Sequence, residues 1–393
     1  MNQTLVLTDT RVVDARGVVA ERTDVRVEGS TISAIGEFER GPTDRVVVAA
    51  GRTVCPGLMN AHVHVCFDGT PDPEPAFRSQ SDTEMALRAL PRLTETLRRG
   101  VTTVRDLGGR DEVSLSLARL ADEGLISAPH IVAAGRVVTM TGGHGHWMGI
   151  EVDGSEEARN ATRRMIKAGA AVIKVMATAG MMTEGQRAGA AQLTVAEMTA
   201  CVDEAHKAGI AVAAHVEGRE GAANAIQAGV DSIEHGHGLD DTLLETMARN
   251  GTVLVPTIAC DRAIVGRGLA AGIPRFIIDD CARLAPSLET ALRRAIELGV
   301  TIAAGNDGGA PLTHPGDLAD ELDVYVELGM SPVAALATAT TNTAALFGLT
   351  SVGLVEPGYA ADLLVVSGDP LGSVAALRRP ELVIARGKVV ETA

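Results

Sequence analysis

Several features that would assign the chain to a particular class of protein are missing from the sequence. The formal net charge is −15 and lysine and arginine are not clustered, so we expect no nucleic-acid partner. No segment reaches the roughly 18 uninterrupted apolar residues that a membrane span requires, so we expect no membrane association. The N-terminus, MNQTLVLTDTRVVDARG, lacks a basic segment followed by an apolar one, so we expect no signal peptide.

Cysteines and aromatic residues are also scarce. The five cysteines, at positions 55, 66, 201, 260 and 281, form no Cys-x-x-Cys pair, and an odd number of scattered thiols is typical of a reduced, cytoplasmic protein. Aromatic residues make up only 2% of the chain, whereas alanine, valine and glycine are plentiful. This composition suits close packing of small side chains between strands and helices.

Both ends of the chain have the pattern of short β-strands. LVLTDTRVVDARG and TDVRVEGSTISAIG near the N-terminus alternate β-branched residues with turn residues. AADLLVVSGDP and LVIARGKVVET repeat this pattern near the C-terminus. We therefore predict one small β-sandwich domain, formed by residues 1–55 and 350–393 together.

Residues 56–349 have a different period, in which a short apolar segment, a loop and an amphipathic helix recur. Strands are predicted over residues 57–65, 101–106, 130–138, 171–176, 210–215, 230–235, 252–256 and 300–306. Predicted helices include residues 83–100, 155–170, 194–210 and 281–300. Eight β-then-α units favour an α/β fold, a (β/α)8 TIM barrel that forms the catalytic domain. A doubly wound open sheet is the alternative, but no GxGxxG motif follows the first strand.

Residues that bind metals or transfer protons fall at the ends of five predicted strands, which face the active site in such a barrel. They are His62 and His64 on the first strand, Lys174 on the fourth, His215 on the fifth, His235 on the sixth and Asp307 on the eighth. Side chains two apart on a strand point to one face, so His62 and His64 can bind the same ion. Such a cluster would be unpaired without a cation, so we predict a metal site.

Lys174 is unusual because it lies in the apolar segment AVIKVMATAG. Lysine is rarely buried unless it is paired or has a function. Burial lowers the pKa of a lysine, and the neutral amine is the form that reacts with carbon dioxide.

The order of these residues resembles the amidohydrolase superfamily: HxH after strand one, Lys on strand four, His after strands five and six, and Asp after strand eight. GLVEPGYAADLLVVSGDPL (353–371) resembles the segment with which these enzymes return to their small β-domain. TGGHGH (141–146) and AGVDSIEHGHGLDD (228–241) resemble a binuclear subgroup in particular. This subgroup includes Xaa-Pro dipeptidase-like and Xaa-Arg (Lys) carboxypeptidase-like enzymes.

The resemblance implies a binuclear, metal-dependent hydrolase of C–N bonds. The ligands of its two divalent ions, usually zinc, would be His62, His64 and Asp307 for one and His215 and His235 for the other. Lys174, carboxylated to a carbamate, would bridge the ions. A bridging hydroxide would attack the amide carbonyl, and Asp307 would carry its proton to the leaving group.

Several other residues are candidate contacts for a small-molecule substrate. The resemblance implies that His144 contacts the substrate carbonyl or carboxylate. Glu217 occupies a position where the relatives often carry an aromatic residue, and it favours a cationic or neutral group. Arg187, in the loop 181–192, and Arg219 could bind an anion, and His237 could support the site.

Four functions remain open at this stage. The first is hydrolysis of an N-acyl amino acid or dipeptide, and the second is hydrolysis of a carbamate, urea, aryl amide or cyclic amide. Deamination of a heterocycle is disfavoured because deaminase relatives generally lack the bridging lysine. A non-catalytic scaffold would have lost ligands, and none is missing. Related hydrolases commonly assemble, so we expect a homo-oligomer.

Overall fold

Within residues 4–110 and 112–391, which the computed structural model describes, the chain forms 17 β-strands, 12 α-helices and one short 3-10 helix, Val374–Arg378. The strands are β1 Leu5–Asp14, β2 Gly17–Glu28, β3 Thr31–Gly36, β4 Arg45–Val48, β5 Thr53–Pro56, β6 Leu58–Val63, β7 Val101–Asp106, β8 His130–Ala133, β9 Val137–Met140, β10 Gly149–Val152, β11 Val172–Met176, β12 Ala211–Val216, β13 Ser232–His235, β14 Val253–Val255, β15 Leu363–Val366, β16 Leu382–Ala385 and β17 Lys388–Val389. The helices are α1 Pro73–Ser79, α2 Asp82–Arg98, α3 Val113–Asp122, α4 Ser155–Ala168, α5 Val195–Lys207, α6 Arg219–Ala228, α7 Asp241–Asn250, α8 Ile258–Ala271, α9 Arg275–Leu298, α10 Leu318–Glu327, α11 Pro332–Thr338 and α12 Thr341–Leu346.

The two ends of the chain meet in one mixed sheet of eight strands. Its order is β17-β16-β15-β5-β1-β2-β3, and β4 also pairs with β1. The contact between the ends is antiparallel, with Leu364 of β15 opposite Cys55 of β5. An apolar cluster that includes Leu7, Val54 and Leu363 packs within this part of the molecule. These strands belong to one hydrogen-bonded sheet, so the predicted sandwich of two sheets stays a prediction.

The strands between these ends are all parallel. They form a three-stranded sheet, β6-β7-β8, and a six-stranded sheet, β10-β9-β11-β12-β13-β14. The two sheets come together where Ala171 N, just before β11, donates to Ala133 O at the end of β8, 2.9 Å away. The largest apolar cluster combines residues of these strands with residues of the surrounding helices. The mixed α/β content agrees with the predicted fold class.

Two strand predictions were wrong. The predicted strand 130–138 is divided into β8 and β9, because the backbone turns at Gly135, where φ is +71°. Residues 300–306 form no regular strand: Ile302 makes an isolated bridge to Leu254, and Gly308, just beyond the segment, makes one to Val63. The extended backbone ends where Asp307 adopts φ +54°, a conformation that residues other than glycine rarely adopt.

The segment 300–308 nevertheless lies between the two parallel sheets. Ala303 N donates to Leu254 O at 3.0 Å on one side, and Ala61 N donates to Ala304 O at 2.7 Å on the other. The Asn60 amide donates to Asn306 Oδ1 at 2.7 Å, which ties the first parallel strand to the residue before Asp307. A Cβ at position 305 would lie only 2.8 Å from His62 Cβ, so glycine allows this close approach.

The predicted helices correspond to α2, α4, α5 and α9. Their ends follow ordinary capping chemistry: Thr194 and Glu197 form a capping box at the start of α5, and Gly169, which has φ +98°, caps the C-terminal end of α4. Helix α9 begins at Arg275, directly after Pro274, earlier than predicted. None of the helices formed by the described residues combines the length and the apolar character that a bilayer span requires.

Candidate active site

All six predicted metal ligands line a single cavity at the carboxyl ends of the parallel strands. These residues are His62, His64, Lys174, His215, His235 and Asp307, and each is at most 7% exposed. The cavity is small, with a volume of about 30 Å³. The strand order therefore brings together side chains that are up to 245 positions apart in the sequence (62 to 307).

His62, His64 and Asp307 form one side of the cavity. Oδ1 of Asp307 lies 3.4 Å from His62 Nε2 and 3.3 Å from His64 Nε2. The opposite nitrogens of both rings have partners behind them: His62 Nδ1 is 2.8 Å from Glu234 Oε2, and His64 Nδ1 is 3.0 Å from Gly108 O. These contacts fix both rings with Nε2 directed toward Asp307.

Glu234 is a buried residue of the site that the sequence analysis missed. Besides contacting His62, its carboxylate accepts hydrogen bonds from Arg105 Nη2 at 2.7 Å and from the Ser232 hydroxyl at 2.5 Å. Burial alone would raise the pKa of Glu234, but Arg105 and His62 more than offset this and hold the pKa well below its ordinary value. Glu234 thus stays anionic and orients the His62 ring.

His215, His235 and Glu217 form the other side of the cavity. His215 Nε2 lies 3.6 Å from Glu217 Oε1, and ligand atoms of all three residues lie within 4.8 Å of one another. His235 Nδ1 is 2.8 Å from the Thr257 hydroxyl. His235, Thr257 and Asp307 all have positive φ, of 64°, 56° and 54°. Such backbone strain concentrates at functional sites.

Four buried polar atoms at the cavity have no hydrogen-bond partner among the residues described: Lys174 Nζ, His215 Nε2, Glu217 Oε2 and Asp307 Oδ1. Burying such atoms without a hydrogen-bond partner is costly. A cation would satisfy the imidazole nitrogen and the two carboxylate oxygens directly. Burial lowers the pKa of Lys174 to about 8, the direction expected from its apolar neighbours in the sequence. Burial also lowers the pKa of His62 to about 4, so the ring is a neutral potential ligand at pH 7.

Aromatic residues, although scarce in the chain, are concentrated at the site. Phe67 stacks on His64 with ring centroids 4.8 Å apart and lies 5.5 Å from Trp147. Phe77 packs behind them, 4.9 Å from Trp147. Phe67 and Trp147 line the cavity together with Met148, Met176 and Met182. One side of the cavity is therefore an apolar, aromatic wall.

Of the five predicted substrate contacts, two line the cavity and three do not. His144 lines the cavity, with Nδ1 2.8 Å from the Thr183 hydroxyl and its ring 4.4 Å from that of His215, and Glu217 lines it as well. Arg219 does not line it, because its exposed guanidinium pairs with Asp240 at 2.6 Å. Arg187 is exposed and is not a lining residue either. His237 is buried beside the cavity, 2.9 Å from Asp261.

A model of the Amidohydrolase family matches residues 53–390. The chain belongs to the amidohydrolase family. It is a hydrolytic enzyme that acts on C–N bonds, as the order of its strand-end residues predicted. This amidohydrolase is 31% identical to ochratoxinase from Aspergillus niger over 363 residues, which cover 84% of this chain and 73% of the relative.

Solved structures of similar proteins extend over nearly the whole amidohydrolase. One is a Xaa-Pro dipeptidase with methionine bound in its active site, with TM-score 0.91 and 30% identity, covering 99% of this chain and 100% of that one. Another is a prolidase complexed with N-methylphosphonate-L-proline, with TM-score 0.92 and 30% identity over all of both chains. The predicted resemblance to the superfamily and to its Xaa-Pro dipeptidase-like members is thereby confirmed.

Proposed function

We propose that the protein is a binuclear metal hydrolase that cleaves the amide bond of an N-acyl amino acid or dipeptide. The observation that carries the metal centre is the convergence of His215 Nε2, Asp307 Oδ1 and Lys174 Nζ on one buried cavity, where no described residue forms a hydrogen bond with them. Imidazole nitrogen and carboxylate oxygen are donors that suit zinc. The residues of the cavity therefore fit the metals that the family implies.

The ligand sets that we propose are His62, His64 and Asp307 for one ion and His215 and His235 for the other, with Lys174 between them. Carboxylation of Lys174 would form a bond between Nζ and the carbon of CO2, with loss of one proton from the nitrogen. The resulting carbamate supplies two oxygens on a long stem, which a buried ammonium cannot. Two divalent ions would polarise the substrate carbonyl and activate the attacking water.

Two residues of the chain have further roles in the proposed reaction. Asp307 accepts a proton from the attacking water on the carboxylate oxygen that does not bind the ion and delivers it to the leaving nitrogen, so that water adds across the broken C–N bond. His144, whose Nδ1 pairs with Thr183, presents its other ring nitrogen to a substrate oxygen. The aromatic wall of Phe67 and Trp147 accommodates an apolar group of the substrate.

The proposed substrate class is supported by the dipeptidase and prolidase neighbours. A second candidate, hydrolysis of an uncharged aryl amide, carbamate, urea or cyclic amide, is favoured by a specific observation. In the described part of the chain, Lys174 is the only lysine or arginine that lines the cavity. A substrate carboxylate would therefore find no guanidinium there, whereas an aryl group would find the aromatic wall.

A matched pair of substrates distinguishes these candidates. N-benzoyl-leucine and N-benzoyl-isopentylamine differ only in the carboxylate. The zinc-loaded protein should hydrolyse N-benzoyl-leucine with the higher kcat/KM if amino-acid release is its function, and N-benzoyl-isopentylamine if the second candidate is right. Chelation should abolish either activity and zinc should restore it. Failure of the loaded protein on both compounds, on dipeptides and on phenyl carbamates and ureas would contradict both candidates.

The finer expectations about architecture belong to the same proposal. We propose that the two parallel sheets and the segment 300–308 close into one (β/α)8 barrel, supported by the hydrogen bonds from Ala171, Ala303 and Ala61. The division into 1–55 with 350–393 and 56–349, the homo-oligomer and the cytoplasmic location stay predictions.

A further inference from the structure

Glu217 is a buried carboxylate for which the described residues supply no cationic side chain as a hydrogen-bond partner. The residue is 6% exposed and lines the active-site cavity, and its Oε2 atom has no hydrogen-bond partner among the residues described. The other oxygen, Oε1, is 3.6 Å from His215 Nε2, a nitrogen that itself has no hydrogen-bond partner among the residues described. The Met181 backbone donates a hydrogen bond to the carboxylate, but the buried Oε2 atom is left unsatisfied, and a cation would satisfy it.

Most of the charged groups around Glu217 are also anionic. Its carboxylate neighbours are Asp261, Asp307 and Asp280, and Lys174 is a cation of the same cavity that interacts with it without a hydrogen bond. Asp261 is directed away, toward His237 at 2.9 Å, and it does not line the cavity. The carboxylate of Glu217 therefore lies in a cavity where a metal cation would offset the charge of several neighbouring carboxylates.

The surrounding backbone holds Glu217 in this place. Its N–H donates to the Thr178 hydroxyl at 2.9 Å. The loop 181–190 packs directly on it, and a Cβ at Gly189, where φ is +90°, would lie 2.6 Å from the Glu217 carbonyl oxygen. Glycine at position 189 thus permits a contact that fixes the backbone of the strand end. The backbone of Glu217 is therefore fixed by the fold, and the Met181 backbone holds one end of its carboxylate, as the side chains of metal ligands are held.

We propose that Glu217 is a direct ligand of the second metal ion, completing a site with His215 and His235. The inference rests on the proposed binuclear centre and adds a protein carboxylate to it. Ligand atoms of these three residues lie within 4.8 Å of one another, close enough to share one ion. Glu217 then offsets part of the charge of the second ion, which makes the pocket less attractive to a substrate carboxylate.

The test measures metal binding rather than turnover. Apo protein prepared by chelation is titrated with Zn²⁺ in the presence of bicarbonate, and bound metal per chain and both Kd values are determined by elemental analysis and calorimetry. Wild type should bind two ions. Glu217→Gln keeps the side-chain volume and removes the charge, and should bind the first ion normally and the second on the order of 100-fold more weakly.

Asp261→Asn is the matched control, because it removes a neighbouring buried carboxylate that does not line the cavity. It should bind both ions as wild type does. In Co²⁺-loaded protein, Glu217→Gln should also change the visible absorption of the second ion, since that spectrum reports its ligands.

Each outcome decides between the two proposals. Two ions of unchanged Kd in Glu217→Gln would overturn the ligand role of Glu217 and leave the binuclear centre standing. An equal weakening in Asp261→Asn would overturn it too, by showing a general effect of charge. Unchanged metal binding with a selective loss of activity on substrates with a free amino group would assign Glu217 to the substrate instead. Fewer than two ions in wild type would overturn both proposals.

Discussion

The two sides of the active site are built in different ways. On one side, His62 is fixed from behind by Glu234, and His64 by the Gly108 carbonyl, so both rings are oriented by the protein. On the other side, only His235 among the described residues is held in this way, by the Thr257 hydroxyl. His215 Nε2 and Glu217 Oε2 have no hydrogen-bond partner within residues 4–110 and 112–391.

This difference indicates how each side acquires its geometry. A ring held by a buried carboxylate loses its conformational entropy during folding, so its ligand nitrogen is already oriented when the ion binds. Unpartnered atoms are satisfied only when a cation arrives. We therefore expect the His62 side to bind its ion more tightly, and the His215 side to depend on the charge of its ligands.

The largest effect is expected at Lys174, where the two sides meet. Lys174→Ala should lower kcat by on the order of 10³-fold, because it removes the group that we propose joins the ions. Short carboxylic acids should partly restore the activity of this variant. Lys174→Met, which fills the space without a site for carboxylation, should be equally inactive but should not respond to the acids. Full activity in Lys174→Met would show that the lysine only fills space.

Changing Glu234 should make the first side resemble the second. One carboxylate oxygen of Glu234 accepts a hydrogen bond from Arg105, and the other contacts His62 Nδ1. In Glu234→Gln one of these oxygens is replaced by an NH2 group, which would face either the Arg105 guanidinium or the His62 ring as a hydrogen-bond donor. His62 would lose its orientation, and we expect the first metal to bind about 10–100-fold more weakly, measured by calorimetry.

The control for this change is Ser232→Ala, which removes only a hydroxyl that donates to the same carboxylate. It should weaken metal binding far less than Glu234→Gln does. Glu234→Ala should lower the free energy of unfolding by about 3–5 kcal/mol, because Arg105 would remain buried without its partner. Normal metal affinity in Glu234→Gln would contradict a positioning role for Glu234.

A smaller effect is expected at the aromatic wall, which lies beside the first side of the site. Trp147→Ala should raise KM for N-benzoyl substrates about 10-fold through lost apolar contact and leave kcat nearly unchanged. Matched N-acetyl substrates, which are too short to use the wall, serve as the control. An equal loss on both series would show that Trp147 supports the fold rather than the substrate.

The smallest effect is expected at Arg219, outside the cavity. Its side chain is 62% exposed and its guanidinium pairs with Asp240, and such surface pairs contribute about 0–1 kcal/mol. Arg219→Ala should therefore change kcat/KM by less than about twofold. A large rise in KM for carboxylate substrates alone would show instead that Arg219 reaches the substrate.

The sequence carried enough information to place the strand-end residues. His62 and His64 are two apart on a strand, and Lys174 is conspicuous in an apolar segment, so a local pattern was sufficient. The parallel strands β7, β11, β12, β13 and β14 likewise follow apolar periods that are visible in the sequence. These features depend on neighbours that are close along the chain.

Other features depend on conformation or on distant contacts. In a regular strand, neighbouring residues point to opposite faces, so the sequence pattern that predicts His235 in the site excludes Glu234. The positive φ of His235 breaks this alternation, and both residues reach the site. Phe67, Phe77 and Trp147 share no sequence period, and only the fold brings their rings together. The segment 300–306 has the composition of a strand, but Asp307 turns its backbone.

The central claim, a binuclear centre bridged by Lys174, is tested most directly by anomalous X-ray diffraction at the zinc edge. Crystals of the protein grown with Zn²⁺ and bicarbonate should show two anomalous peaks in the cavity. One should lie among His62, His64 and Asp307 and the other beside His215 and His235, with density for a carbamate on Lys174 between them. A single peak, or an unmodified Lys174 amine lying apart from both peaks, would contradict the account.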